Sequence, residues 1–261
     1  MKVVLSIAGG DSSGGAGIQA DLKTFEAFGV FGTTAITVLT AQNTQGVTDI
    51  YTVDPQFISS QIKAVFDDFE VAAVKIGMLF SNEIIDVVRE CVKDLDIPVV
   101  FDPVFISKAR SKLLNDDAIE NLKSLIPYST VVTPNLFEAK EMFGYEMSSS
   151  ESVQNILSQD ASILIKNHVL KNPNGEKSLD LLFKDGKKYV FDTTHIHTES
   201  THGTGCSYSS AIAANLALGV ELERAVEISK EFVYQAIKNA PDIGQGKGPV
   251  NHKEGGRVCQ S

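Results

Sequence analysis

The sequence predicts an α/β fold of three layers, with helices on both faces of a mostly parallel central sheet and an antiparallel hairpin at one edge. Three observations predict it. Short β-branched runs alternate with amphipathic stretches from one end of the chain to the other, as strands joined by crossover helices do. Several of those runs are apolar on both faces, which suits a sheet covered on each side. Past Lys166 the texture changes to two short β runs around Asp185-Gly186, a dipeptide that favours the primed turn of a hairpin.

Candidate strands occupy residues 3–7, 34–39, 72–76, 99–102, 130–133 and 163–166. A helix begins near Ile18. A second begins at Asp54-Pro55, where an Asp cap precedes Pro at the first helical position, and a third follows Ser81-Asn82-Glu83. The hairpin pairs residues 179–183 with 188–191, and residues 205–219 and 221–240 read as two consecutive helices, the first Ala- and Ser-rich and deeply buried. From Gly244 the periodicity ceases, and residues 253–261 read as a frayed tail. No repeat or low-complexity linker divides residues 1–261, so one domain is expected.

The 261 residues carry 23 Lys plus Arg against 33 Asp plus Glu, a net charge of −10. That balance disfavours a non-specific grip on nucleic acid or anionic lipid, so an anionic substrate must be met by a few placed donors. With 43% hydrophobic and 21% charged residues, the composition is that of a soluble globular chain rather than a disordered or fibrous one. Cys91, Cys206 and Cys259 are too scattered for a disulfide framework or a zinc ribbon and point to a reducing compartment. The apolar start breaks at Gly9-Gly10 before reaching signal or membrane-span length, so a cytoplasmic protein is expected.

Three glycine-rich loops stand where strands hand over to helices, the end of an open α/β sheet that binds ligands. In the first, residues 9–17, Gly15-x-Gly17-x-x-Ala20 matches a dinucleotide fingerprint only as a bare pattern. Its glycines come too late after the strand, and no acidic residue closes the second strand. The second, Thr201-His202-Gly203-Thr204-Gly205-Cys206, reads as an anion cradle: glycines uncover backbone amides, the helix dipole adds positive potential, and Thr204 offers a hydroxyl. Its alternative is a glycine-permitted turn into a packed helix. The third, residues 244–248, is unspecific, and no Gly-x4-Gly-Lys-Ser/Thr loop is present.

Cys206 reads either as a small buried thiol or as a helix-N-terminal thiol of lowered pKa able to act as base or nucleophile. A Cys/His hydrolase with His202 lacks a third orienting group. His195-x-His197 share a strand face where zinc is geometrically possible, yet no Asp, Glu or Cys stands at ligand spacing, and solvated edge histidines are the better reading. Asn135 and Glu138, one helical turn apart after a strand, suit Mg²⁺ held through waters and substrate phosphates, or else a helix-starting Asn with Glu in the first turn.

In order along the chain, residues 8–21, Ala41-Gln42-Asn43-Thr44, Lys75-Ile76-Gly77-Met78-Leu79, Asp102-Pro103-Val104, Thr133-Pro134-Asn135-Leu136-x-Glu138, His202-Gly203-Thr204-Gly205-Cys206 and residues 246–252 resemble the hydroxymethylpyrimidine/phosphomethylpyrimidine kinases of thiamine biosynthesis, a family of the ribokinase-like fold. The resemblance runs from residue 4 to about 252. It implies two successive ATP-dependent phosphorylations, of 4-amino-5-hydroxymethyl-2-methylpyrimidine to its monophosphate and then to the diphosphate. By motif, Gln42 would bond the aminopyrimidine edge, with Gly9, Ala16, Asp21 and Met78 lining the ring pocket. Asn135 and Glu138 would organise Mg²⁺, Lys166, Thr133 and Asp102 would serve the nucleotide phosphates, and Gly203, Thr204 and Gly205 would form the anion hole. Cys206, where the wider ribokinase group carries an aspartate base, would take the hydroxyl proton as a thiolate, and a homodimer is implied.

Two departures stand out. The family usually shows Lys-Gly-Gly-His where this chain has Lys166-Asn167-His168, and residues 105–111 lack a glycine often seen after Asp102-Pro103-Val104. The rival readings are a pyridoxal or pyridoxine kinase on the same fold and a pyrimidine-binding protein without phosphotransfer.

Overall fold

A computed structural model describes residues 1–105, 116–173 and 175–257. The chain runs β1 (Val3–Asp11), α1 (Gly17–Ala27), β2 (Phe31–Asn43), β3 (Gly46–Thr52), α2 (Pro55–Asp68), β4 (Val71–Ile76), α3 (Asn82–Val92), β5 (Val99–Phe101), α4 (Asp116–Leu122), β6 (Val131–Val132), α5 (Leu136–Phe143), α6 (Ser150–Leu157), β7 (Ser162–Asn172), β8 (Gly175–Lys184), β9 (Lys187–Thr194), α7 (Thr204–Ala217), α8 (Leu222–Lys238) and α9 (His252–Gly256). The strands form one sheet in the order β3-β2-β1-β4-β5-β6-β7-β8-β9, parallel from β2 through β7. Among the described residues no helix is long and apolar enough to cross a membrane.

Strand alternation divides the core between two faces. Leu5, Ile7, Val74, Ile76, Val99, Phe101, Ile163 and Ile165 enter the cluster completed by α2, α3, α5 and α6. Their strand neighbours Val4, Ala73, Val100 and Leu164 enter the cluster completed by α1, α7 and α8. α7 buries ten of its residues, and its Ala and Ser side chains let it lie close against the sheet. The expected helix starts are capped as read: Asp54 accepts the amides of Gln56 and Phe57, and Ser81 that of Ile84.

Three features differ from the sequence reading. Both sheet edges are antiparallel, because β3 folds back on β2; all seven of its residues are exposed, so no buried stripe marks it as a strand. The chain from 253 is not frayed throughout: α9 docks Gly255 and Gly256 against Phe232 and Ala27, and residues 258–261 lie outside the description. β7 continues six residues past Lys166 and pairs with β8, its register shifting between Ile165 and His168. The hairpin turn is as expected, with φ of 51° at Asp185 and 72° at Gly186. The departure over residues 105–111 falls mostly outside the described residues.

The missing glycines after Lys166 have a local explanation. Asn167 sits at the β7 irregularity with φ of 70°, in the left-handed region where glycine is otherwise favoured and Asn is the best-tolerated substitute. The turn is therefore made without glycine. Asn167→Gly should keep the unfolding free energy within ~0.5 kcal/mol of wild type, whereas Asn167→Ala should lose about 1 kcal/mol in denaturant titration. Equal stability of the two variants would contradict this account of the turn.

Candidate active site

The strands of the parallel block end on one side in a cleft of about 980 Å³. Each strand delivers one element of it. β1 runs into residues 9–17, β2 carries Gln42, β4 leads to Met78, β5 ends before Asp102, β6 before Asn135, β7 carries Lys166, and α7 aims its N-terminus inward. Gly9, Ala16, Gln42 and Met78 gather toward one end, and Asp102, Glu138 and Lys166 lie below the Gly203–Cys206 turn.

The turn is packed backbone against backbone. Gly203 has φ of 83°, and a Cβ there would overlap the Gly15 carbonyl, so only glycine fits. A Cβ on Gly205 would stand 3.7 Å from Asp102 Oδ2 and 3.8 Å from Lys166 Nζ, which makes this glycine the roof over that ion pair. Helix geometry leaves first-turn amides without intrahelical acceptors, those of Gly205 and Cys206 included. The Thr204 hydroxyl is otherwise engaged: it donates to the Thr201 carbonyl at 2.6 Å, so it shapes the turn instead of presenting its proton to an anion.

Among the described residues three buried ion pairs underlie the cleft, Lys75–Asp21, Lys166–Asp102 and Lys230–Asp180. Lys75 Nζ lies 2.9 Å from Asp21 Oδ2, both side chains 0% exposed, and Ser6 and Ser210 donate to the same carboxylate. Asp21 therefore does not line the ring pocket; its oxygens are consumed by Lys75 and two hydroxyls. Burial opposes the Lys75 charge, but Asp21 overrides it and holds the ammonium protonated well above its usual range. Lys166 Nζ lies 2.8 Å from Asp102 Oδ1, which also accepts from Thr133 at 3.1 Å, while Ser209 donates to Oδ2 at 3.2 Å. Despite burial, Lys166 and then Lys75 hold Asp102 ionised. Thr133 is itself fully buried and serves Asp102, away from the cleft lining.

Cys206 does not carry the lowered pKa expected from its helix end. Burial pushes the thiol above its usual value of 9.0, and Asp21 and Asp102 add to that push, against the opposing pull of Lys75 and a Gly17 amide. Asn135 also differs. Its Oδ1 accepts the amides of Phe137 and Glu138 at 2.9 and 3.0 Å, and Glu138 Oε2 accepts the Asn135 amide at 2.8 Å, a reciprocal capping box that spends the Asn side chain on α5. Glu138 is left 3% exposed, and burial plus the Asp102 charge raise its carboxyl to about 8.

At the other end Asp11 organises the first loop. It accepts the amides of Ser13, Gly15 and Ala16, the Ser13 hydroxyl, and His202 Nε2 at 2.7 Å. Burial works against its charge, but His202 and Ser13 bring the carboxyl down to about 2. Gln42 Oε1 accepts from Thr40 at 3.1 Å, and Gln42 Nε2 stands 3.3 Å from His202 Nε2, whose proton goes to Asp11. The Gln42 amide thus meets no acceptor there and keeps donors for a ligand. Behind the cradle, Ser207 Oγ and His252 Nε2 lie 2.8 Å apart, tying α7 to α9; burial lowers His252 to about 4.

Lys75 and Asp11 lie within the sequence motifs with no role attached to them, and His202 is weighed there only as partner of Cys206 in a hydrolase that lacks a third group. The available signal was a lysine in the otherwise apolar run Val71-Ala72-Ala73-Val74-Lys75-Ile76, a residue that a buried strand keeps only with a partner.

Comparison with known proteins adds to this geometry. The family described as phosphomethylpyrimidine kinase matches residues 11–251. A hydroxymethylpyrimidine/phosphomethylpyrimidine kinase of Haemophilus influenzae is 43% identical over 97% of this chain and 97% of its own length. One from Aquifex aeolicus is 41% identical over 94% of this chain and 97% of its own. Among solved structures, an ADP complex of Bacillus subtilis pyridoxal kinase superposes with a TM-score of 0.86 at 35% identity, covering 97% of this chain and 98% of that one. A phosphomethylpyrimidine kinase from Clostridium difficile does so with 0.77 at 40% identity, covering 91% and 100%.

Proposed function

We infer, from the premise that this chain belongs to the phosphomethylpyrimidine kinase family of ribokinase-like phosphotransferases, that it works in thiamine biosynthesis. It moves a phosphoryl group from ATP to 4-amino-5-hydroxymethyl-2-methylpyrimidine and then to the resulting monophosphate. The observation that carries the mechanism is the convergence of the α7 amides, Cys206 and the Lys166–Asp102 pair at one point of the cleft.

Phosphoryl transfer asks for positioning and charge stabilisation. Gln42 donates to the aminopyrimidine, and Gly9, Ala16 and Met78 pack against its ring. The Gly203–Gly205 turn faces the charge that develops on the transferred group, and Lys166, which donates to Asp102 and to Thr133, meets the nucleotide phosphates. Asp21 acts through Lys75. Mg²⁺ fits this site, because Glu138 and Asp102 are two buried carboxylates lining the same end of the cleft, and burial followed by the Asp102 charge raises Glu138 to about 8, a repulsion that a cation would offset. Glu138 and Asp102 would hold it through water, with Asn135 positioning Glu138 rather than ligating. When bound, the ion neutralises phosphate charge.

Cys206 Sγ takes the proton that the alcohol loses in the first transfer, while the monophosphate of the second already presents an anionic oxygen. Since the resting thiol is protonated, its active thiolate fraction grows tenfold per pH unit below the thiol pKa, so step one rises with pH and step two rises less.

A second reading, pyridoxal phosphorylation with Cys206 adding reversibly to the aldehyde, is supported by the close superposition on pyridoxal kinases. The binding-protein reading loses its motive, since Asn167 makes the turn that the absent glycines put in question. ATP consumption with hydroxymethylpyrimidine, its monophosphate or pyridoxal, with products identified by mass, separates these readings. The diphosphate as final product is expected; pyridoxal phosphate alone would overturn it. In the same assay Cys206→Ala should cost step one ~10²-fold or more and step two far less; equal losses would remove the base role.

The family resemblance also supports a cytoplasmic homodimer. β3 offers the edge for it, the terminal strand of the sheet, paired with β2 on one side only and with Tyr51 71%, Val47 48% and Ile50 36% exposed. Val47→Lys with Tyr51→Lys should convert a sedimenting dimer to monomer; a wild-type monomer would refute the pairing.

A further inference from the structure

The hairpin edge brings together three side chains that the phosphotransfer mechanism leaves idle. β8 and β9 pair Lys177 with Thr194, and the ladder continues one step outward, where the His195 amide donates to the Glu176 carbonyl at 2.9 Å. Glu176 thereby stands across from His195, and His197 follows on the same side two residues later, as alternation along extended chain requires. The His195 and His197 rings meet edge to face with centroids 4.9 Å apart, and His197 Nε2 lies 3.6 Å from Glu176 Oε2. One ligand atom from each of the three lies within 4.8 Å of the others. The carboxylate that spacing along the chain did not supply comes from the neighbouring strand.

We propose that Glu176, His195 and His197 form a binding site for a divalent transition cation of the Zn²⁺ class. Two imidazoles with one carboxylate form the donor set of such ions, whereas Mg²⁺ and Ca²⁺ take oxygen. Tetrahedral coordination wants ligand atoms ~3.4 Å apart, a contraction that side-chain rotation would have to supply, chiefly by the exposed His197. Glu176 divides its oxygens: Oε1 accepts Lys171 at 3.1 Å, which anchors the carboxylate and leaves Oε2 toward the histidines. Three protein ligands leave a fourth position for water or an anion. His195 is also a wall residue of the cleft, as are Thr193, Thr194 and Ile196, so a bound cation pins this stretch of rim to β8.

The test uses the full chain without a polyhistidine tag, stripped by chelation and titrated with Zn²⁺ in a calorimeter and with Co²⁺ by visible absorption. One equivalent should bind at micromolar or tighter concentration, and the Co²⁺ spectrum should lack thiolate charge transfer. His195→Ala and His197→Ala should each weaken binding at least ~10-fold. Both lie at an exposed edge, and an unchanged thermal transition of each variant without metal confirms that the loss is local. Binding only at millimolar Zn²⁺, unchanged affinity in both histidine variants, or a thiolate band that disappears in Cys206→Ala would each overturn the site.

Discussion

The site depends on a charge pair in the middle of the sheet. Lys75 and Asp21 are both withdrawn from water, and an isolated charge at either position would be untenable. They are tolerable because the carboxylate accepts Lys75, Ser6 and Ser210 together. Those partners come from β4, β1 and α7, and Asp21 itself from α1, so one set of hydrogen bonds fixes the distance between two strands and two helices. The second pair repeats the device: Asp102 follows β5 and gathers Lys166 of β7, Ser209 of α7 and Thr133 after β6. α7 is held at both points, and its N-terminus is presented to the cleft as a consequence.

The same charges set the chemistry above them. Lys75 and Lys166 keep Asp102 ionised, while Asp102 raises Glu138 and contributes with Asp21 to keeping the Cys206 thiol protonated. A helix N-terminus acts over about one turn at well under a full charge, and burial of the thiol, with Asp21 and Asp102 adding to it, outweighs that pull. The site thus sets a protonated thiol beside a carboxyl raised to about 8.

Much of this was legible in the sequence because it is local. Strands with both faces apolar, the Asp54 and Ser81 caps, the Asp185-Gly186 turn and the glycine loops each carry their signal within a few residues. What escaped depends on pairing between distant segments. β3 is a strand only because β2 accepts it, and Glu176 joins the histidines only through the β8–β9 register. Asp21 could be placed in a motif but not turned away from the ligand without knowing where Lys75 points. For Asn135 and Glu138 the sequence left cap and cation site open; the structure puts both in the cleft wall and in one capping box, with Asn135 Oδ1 and one Glu138 oxygen spent on the cap.

The most direct test is a double-mutant cycle in unfolding free energy on Lys75→Met and Asp21→Asn. Each single change should cost ~3–5 kcal/mol, because it strands a buried charge, while the double variant recovers much of the loss, giving a coupling of at least ~2 kcal/mol. Additive losses below about 1 kcal/mol each, as for an exposed pair, would contradict the account.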